Sequence, residues 1–310
     1  MTREQFEQIA RLRTEQPNAA SEHMDALSIE EFLQLMNDED QKVAAAVRAE
    51  IPAIAQAVRA IVEAFRRGGR LFYVGAGTSG RLGILDAAEC PPTFGVPPTM
   101  VQGIIAGGPQ SMFRSQEGAE DNEYAGAEAI SEKQVSLNDV VCGLSASGRT
   151  PFVRGALIEA KRRGAYTILI TTNDRTQVVQ FGMPADCIIA PNVGPEILAG
   201  STRLKSGTAQ KLVLNMLSTA AMVQIGKTCG NIMVDVQPMS VKLIERAKGI
   251  IMRIANCDYD TASAYFDSSG RDVKVALVML LTGCDKETAK CLLAEVGGSI
   301  RSAVNLHNRK

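Results

Sequence analysis

Residues 71–89 read LFYVGAGTSGRLGILDAAE, and the order of residue types in this run decides the fold. Leu71, Phe72, Tyr73 and Val74 form an apolar and aromatic stretch bounded by glycine, as a buried parallel strand requires. Gly75-Ala76-Gly77-Thr78-Ser79-Gly80 then turns the chain sharply, and Ser79 is placed to cap the helix that comes next. Free amides and the positive end of a helix dipole at such a turn favour an anion. The hexapeptide is also a G-x-G-x-x-G match, but a dinucleotide fingerprint needs an acidic residue about 20 positions on, after the next strand. That strand, Met100 to Ile105, ends in Ala106-Gly107-Gly108, so phosphate is preferred over nicotinamide or flavin.

A second copy lies further along the chain. Asp139 to Leu144 is again a strand, succeeded by Ser145-Ala146-Ser147-Gly148-Arg149-Thr150-Pro151 and a helix to about Arg163. Two hydroxyl-rich loops between strand and helix would lie side by side at the carboxyl ends of a parallel sheet, where open α/β folds bind ligands. Taken singly, each of Thr78, Ser79, Ser145, Ser147 and Thr150 reads better as a plain helix cap; together they favour a ligand. A third segment, Gly194 to Lys211, brings Glu196, Ser201 and Lys205 to a helix start, and spacing alone leaves an anion contact and a simple cap both open.

The chain has 310 residues, 45% of them hydrophobic, enough for one large α/β domain with an accessory piece. A net charge of −1 with interspersed signs argues against a nucleic-acid surface. Seven scattered cysteines with no C-x-x-C pair fit reduced thiols in a cytoplasm, and MTREQFEQIARLRTEQ lacks the apolar core of a signal peptide. The most apolar helix, Leu212 to Gly226, is too short and too polar to span a membrane. Only His23 and His307 exist, which argues against a Ser-His-Asp, Cys-His or His-rich metal site and makes carboxylates the expected proton carriers of an enzyme.

The expected architecture is α/β: a doubly wound, parallel, five-stranded sheet with amino-terminal helices and a small carboxyl-terminal helical bundle. Residues 1–58 are assigned to an arm and helices, 59–236 to the sheet domain and 237–310 to the bundle. The arm, 1 to about 28, should lie on another surface. Ser28 with Glu31 signals a capping box, a further helix runs from about Gln41 to Arg67, interrupted or restarted at Pro52, and Pro91-Pro92 should stop the first sheet helix just past Cys90. A helix is expected from about Pro109 to Ile130, placing Glu117, Glu120 and Asp121 on one face.

On both loops and the Gly194 to Lys211 segment, the chain resembles the sugar isomerase (SIS) domain family and, within it, the N-acetylmuramic acid 6-phosphate etherases. The runs GAGTSGRLGILDAAECPPTFGV, EGAEDN, SASGRTP, GPEILAGSTRLKSGTAQKLVLNM and NIMVDV carry the resemblance over most of residues 70–236, with TEQ and MNDED before them. The arm's TEQPNAAS departs in having Pro17 where the family more usually has arginine. The resemblance implies a carbon–oxygen lyase that removes D-lactate from an amino-sugar phosphate by elimination and water addition, with no metal or organic cofactor, in a homodimer with its pocket near the interface. It implies that Glu89 protonates the leaving lactate and then activates water, and that Glu120 is the second catalytic carboxylate, taken as the C2 base. It also implies that Ser79, Ser145, Ser147 and Thr150 surround the phosphate and that Ser201 touches the substrate; Glu196 and Lys205 position the sugar or stiffen the loop.

Two rivals share these loops. A sugar-phosphate-sensing regulator of the glucokinase regulatory type carries two tandem SIS domains, and this chain has room for one. An aldose–ketose isomerase also removes a C2 proton, but lacks the family-specific segment at 194–211. Cys90 reads as packing, with no histidine beside it, and Arg81 and Arg149 stay unassigned.

Overall fold

A computed structural model describes residues 9–114, 116–236 and 240–309. Five strands, β1 (Leu71–Gly75), β2 (Val101–Ile105), β3 (Val140–Leu144), β4 (Tyr166–Ile170) and β5 (Cys187–Ile189), form one parallel sheet in the order β2-β1-β3-β4-β5. β1, β2 and β3 are the short runs the sequence marks, and β1 and β3 are buried along their whole length, as a sheet covered on both faces requires. Pairing is in register at the carboxyl edge: Gly75 stands opposite both Ile105 and Leu144, and Leu144 opposite Ile170. The loops after β1 and β3 therefore start at one level, on either side of the point where strand order reverses. In this 2-1-3-4-5 topology that crevice is where ligands bind.

The helices agree with the sequence in kind and differ in extent. α1 (Ile29–Ala49) opens with the expected box: Glu31 N–H donates to Ser28 Oγ at 3.3 Å and Ser28 N–H to the Glu31 carboxylate at 2.9 Å. It does not break before Gln41; the one break falls at Glu50, where the restart at Pro52 is expected, and α2 (Ile51–Arg66) carries Pro52 in its first turn, where the missing N–H costs nothing. α3 (Gly77–Phe94) runs through Pro91 and Pro92 instead of stopping at Cys90. Both prolines fall in its last turn, so the helix loses two donors near its end, where fraying is cheap, and closes on Gly95, whose N–H reaches the Pro91 carbonyl at 2.9 Å.

The helix expected over 109–130 is the largest departure. The chain instead makes two single 3₁₀ turns, Pro109–Met112 and Ala119–Asp121, before α4 (Glu123–Glu132). Gly118 sits at φ +74°, a left-handed geometry no helix interior tolerates. Glu117, Glu120 and Asp121 consequently share a loop, not a helical face. α4 and α5 (Pro151–Arg162) cover one side of the sheet, where Phe72, Val74, Val141, Ile130, Phe152 and Leu157 form a buried cluster. α6 (Arg175–Gln180) comes after β4, and α7 (Lys205–Gln224) after the third segment.

The chain divides into two compact units, one up to Ala88 and over Pro98–Ser218, the other Glu89–Pro97 with Thr219 onward. The second unit holds a short antiparallel pair, β6 (Thr228–Cys229) with β7 (Ile232–Met233), and helices α8 (Val241–Ala255), α9 (Tyr259–Ser268), α10 (Val273–Thr282), α11 (Lys286–Glu295) and α12 (Ile300–His307). Each of these helices is capped by a side-chain oxygen of its own: Ser240, Asp258, Asp272, Asp285 and Ser299. Ile251, Phe266, Leu277 and Ala289 fill the middle of the bundle, and Gly283 at φ +74° ends α10 where the sequence marks a turn. Residues 237–239, at the expected start of this region, lie outside the described residues. No described helix is long and apolar enough to cross a membrane.

Candidate active site

The first loop is shorter than its sequence implies. Gly80 N–H already bonds to the Ala76 carbonyl at 3.2 Å, so Ala76 occupies the cap position and Ser79 lies inside the first turn of α3, not at its cap. An alanine there offers no side chain to the first amides, which stay open to another acceptor. Thr78 and Ser79 are half-buried. A side-chain carbon added at Gly207 of α7 would meet the Thr78 methyl at 3.6 Å, which places that face of Thr78 against α7.

The second loop is tied by its own hydroxyls. Ser145 is 2% exposed; its hydroxyl shares a hydrogen bond of 2.7 Å with that of Thr150, lies 3.4 Å from that of Ser147, and accepts Thr150 N–H at 3.4 Å. Arg149 N–H donates to Ser147 Oγ at 3.3 Å. The loop backbone is fixed from behind by the three residues just past β4. Asn173 Nδ2 donates to the Ser147 carbonyl at 2.7 Å, and the Thr171 and Thr172 hydroxyls donate to the Ala146 carbonyl at 3.0 and 3.2 Å. Thr172 also bonds Ser206 at 2.9 Å, which joins this loop to the start of α7. The structure thus brings Ser145, Ser147 and Thr150 together as one hydroxyl cluster, a ready donor site for phosphate oxygens.

Two cavities open beside these loops and meet at one residue. The first, about 220 Å³, is lined by Ala76, Gly77 and Arg81 of the first loop, by Ala106 and Ser111, and by Gln116 to Glu120. The second, about 310 Å³, is lined by Ser147, Arg149, Thr150 and Pro151 of the second loop, by Glu120 and Asp121, and by Ile9, Leu12 and Glu15 of the arm. Glu120 lines both. Arg149 stands over the Phe181 ring at 5.4 Å, so its guanidinium is held at the second cavity by a cation–π contact.

The third segment is built for rigidity. Glu196, fully buried, accepts the N–H groups of Lys205 and Ser206 at 2.9 and 2.8 Å and so caps α7 with a charge on the correct end of the dipole. Lys205, 1% exposed, donates to Glu39 of α1 at 2.5 Å. Glu39 also accepts from Lys42 and from Asn18. Burial alone would raise the Glu39 carboxyl, but the bonds from Lys205, Lys42 and Asn18 outweigh it and hold it at about 2. Neither Glu196 nor Lys205 lines either cavity; they hold α7 and α1 around the site. Ser201 is half-buried, in a turn where its N–H meets the Leu198 carbonyl at 2.9 Å.

Glu89 is exposed on α3, ten residues beyond Ser79, at the start of the second compact unit. One turn earlier, Asp86 is 7% exposed and accepts from Tyr73 Oη, Asn215 Nδ2 and Ser218 Oγ at 3.0, 2.7 and 3.1 Å. That network ties α3 to β1 and to α7. Cys90 is 2% exposed, consistent with packing. Sequence reasoning missed Ser111, Asn173 and Glu15. No motif marks the first two, whereas the TEQ run of the arm did contain the third.

Residues 53–161 match the family described as the glucokinase regulatory protein N-terminal SIS domain, and residues 123–220 match the SIS domain. An N-acetylmuramic acid 6-phosphate etherase of Salinibacter ruber is 52% identical over 300 residues, covering 96% of each chain. One of Cutibacterium acnes is 52% identical over 292 residues, covering 94% of this chain and 95% of its own. Among solved structures, a phosphoheptose isomerase of Neisseria gonorrhoeae matches with a TM-score of 0.48 at 18% identity, covering 63% of this chain and 98% of its own.

Proposed function

Because the chain belongs to the N-acetylmuramic acid 6-phosphate etherase family, we propose that it cleaves the D-lactyl ether of N-acetylmuramic acid 6-phosphate to N-acetylglucosamine 6-phosphate and D-lactate, in the recycling of cell-wall sugar. Within the structure, the observation that supports this most is Glu120, a carboxylate that borders two donor-lined cavities at the switch point of the sheet.

The hydroxyl cluster of Ser145, Ser147 and Thr150 holds the 6-phosphate. In the open-chain sugar the C1 aldehyde acidifies the C2 hydrogen, and Glu120 takes that proton. The C2 electron pair forms the C2–C3 double bond as the C3–O bond breaks, and Glu89 gives a proton to the departing lactate oxygen. Glu89, now a carboxylate, removes a proton from water as that water adds to C3, and C2 takes back a proton. One water is consumed, and no redox change occurs. Each positioned proton transfer is worth about 10² to 10⁴ in rate. The reaction class is a carbon–oxygen lyase, carried by side chains without metal or organic cofactor, in a cytoplasmic homodimer whose pocket lies near the interface. Ser79, Thr78 and Ser201 complete the substrate contacts.

The test is lactate release in heavy water by wild type, Glu89→Ala and Glu120→Ala, with deuterium at C2 read by NMR. Wild type should release lactate; Glu89→Ala should exchange C2 but release none; Glu120→Ala should do neither. A wild type that binds the sugar phosphate without exchange or cleavage would replace this reading with the sensor.

A further inference from the structure

We propose that the cavity on the first-loop side of Glu120 seats the carboxylate of the substrate's lactyl arm, with Ser111 as its buried hydrogen-bond donor. The assignment rests on the etherase reading and adds to it the place where the leaving group sits.

Ser111 is 3% exposed, its hydroxyl has no hydrogen-bond partner, and the residue lines the 220 Å³ cavity. A hydroxyl buried without a partner is unusual and costly, and an acceptor entering the cavity removes that cost. The backbone beside it is shaped to leave this oxygen room. Gly107 sits at φ +80°, and a side-chain carbon there would come within 2.4 Å of Ser111 Oγ and 2.8 Å of Gln116 Oε1. Any larger residue at 107 would displace the hydroxyl.

The rest of the lining matches a short 2-oxy acid. Arg81 donates through Nε to the Met112 carbonyl at 3.0 Å, a bond that anchors its guanidinium on the cavity wall. Gly77, in the opening turn of α3, adds the positive end of a helix dipole. Ala76, Ala106 and Ala119 supply small apolar walls for a methyl group. Glu117 is also on the lining but is solvent-exposed, where its charge is screened. The volume of 220 Å³ equals roughly seven waters at about 30 Å³ each, enough for the six heavy atoms of lactate.

The placement also orders the substrate. With phosphate at the hydroxyl loop and the lactyl carboxylate at Ser111, the sugar bridges from one cavity to the other, and C3 lies on the chain between its two anionic ends with C2 bonded to it. Glu120 lines both cavities and so meets the carbon that loses its proton.

The experiment compares wild type, Ser111→Ala and Ala119→Val for D-lactate binding by saturation-transfer NMR in the presence of N-acetylglucosamine 6-phosphate, for N-acetylglucosamine 6-phosphate binding itself, and for KM with the muramic substrate. Ser111→Ala should weaken lactate binding and raise KM by about tenfold, the loss expected for one hydrogen bond to a charged group. Binding of N-acetylglucosamine 6-phosphate, which lacks the arm but keeps the acetamido group, should stay within about twofold on the same scale. Ala119→Val, which narrows the cavity but keeps the hydroxyl, should show the same selectivity. Equal weakening of both ligands, or no change in either, overturns the assignment. Failure of wild type to cleave ends the etherase reading alone, whereas lactate binding that is absent or indifferent to Ser111 ends this one.

Discussion

The loops after β1 and β3 begin at the same level of one sheet yet are built from opposite materials. After β1 the chain enters its helix at once, capped by an alanine, and offers backbone amides. After β3 it delays through six residues and offers hydroxyls already bonded to one another and braced by Asn173, Thr171 and Thr172. Amides at a helix start hold charge without side-chain adjustment, while a hydroxyl cluster can rotate its protons to suit three phosphate oxygens. The difference teaches that two loops alike in sequence need not be two halves of one site. They can serve two chemically distinct ends of a substrate, with the reacting carboxylate between them.

The comparison breaks most completely at its shared residue. Glu120→Gln should lower kcat by about 10² to 10⁴ with the fold intact, measured by lactate release beside a thermal melt. Next comes the frame common to both loops. Lys205→Ala leaves the buried Glu39 carboxylate to Lys42 and Asn18 alone and should cost about 1–3 kcal/mol in urea unfolding. The same pair has a pH signature. Glu39 is held at about 2 against an ordinary 4.5, so its contribution is fully present above pH 4.5 and is lost as pH falls from there toward 2. Wild type should therefore lose more stability than Glu39→Gln over that window. Smaller effects separate the loops themselves. Ser145→Ala leaves the Thr150 N–H and hydroxyl without their partner and should weaken binding of N-acetylglucosamine 6-phosphate by about 1–3 kcal/mol, by calorimetry. Ala76→Ser gives the first loop the cap it lacks; α3 should gain about 1 kcal/mol while lactate binding falls, because the new hydroxyl competes for the same amides.

What sequence conveyed was the frame. Short apolar runs located β1, β2 and β3, and the Ser28–Glu31 spacing located the start of α1, because strands and capping boxes are local patterns. The stretch 107–121 was opaque for the opposite reason: its polar and apolar spacing imitates a helix, while Gly107, Gly108 and Gly118 all take positive φ. Pro91 and Pro92 misled because a proline's cost depends on how near the helix end it falls. Ser111 could not be found at all, since one serine among 310 residues means nothing until its burial and its unpartnered oxygen are known. Lys205 and Glu196 were visible as charges, but the burial of Lys205 against Glu39 depends on α1, far away in the chain.

The arm that walls the second cavity has a history the finished fold conceals. Arg13 N–H reaches Asn173, the Thr14 carbonyl receives Gly200 N–H, Asn18 reaches the carbonyl of Pro195 and Ser21 that of Ile197. Asn18 and Pro195 are 177 positions apart. During synthesis at about 5–20 residues per second, the arm leaves the ribosome roughly 9–35 s before its binding surface exists. Ile9, Leu12 and Glu15 must wait unpaired through the making of the whole sheet, so the second cavity is among the last parts of the molecule to form. A nascent chain arrested before Pro195 would carry its hydroxyl loop open on that side.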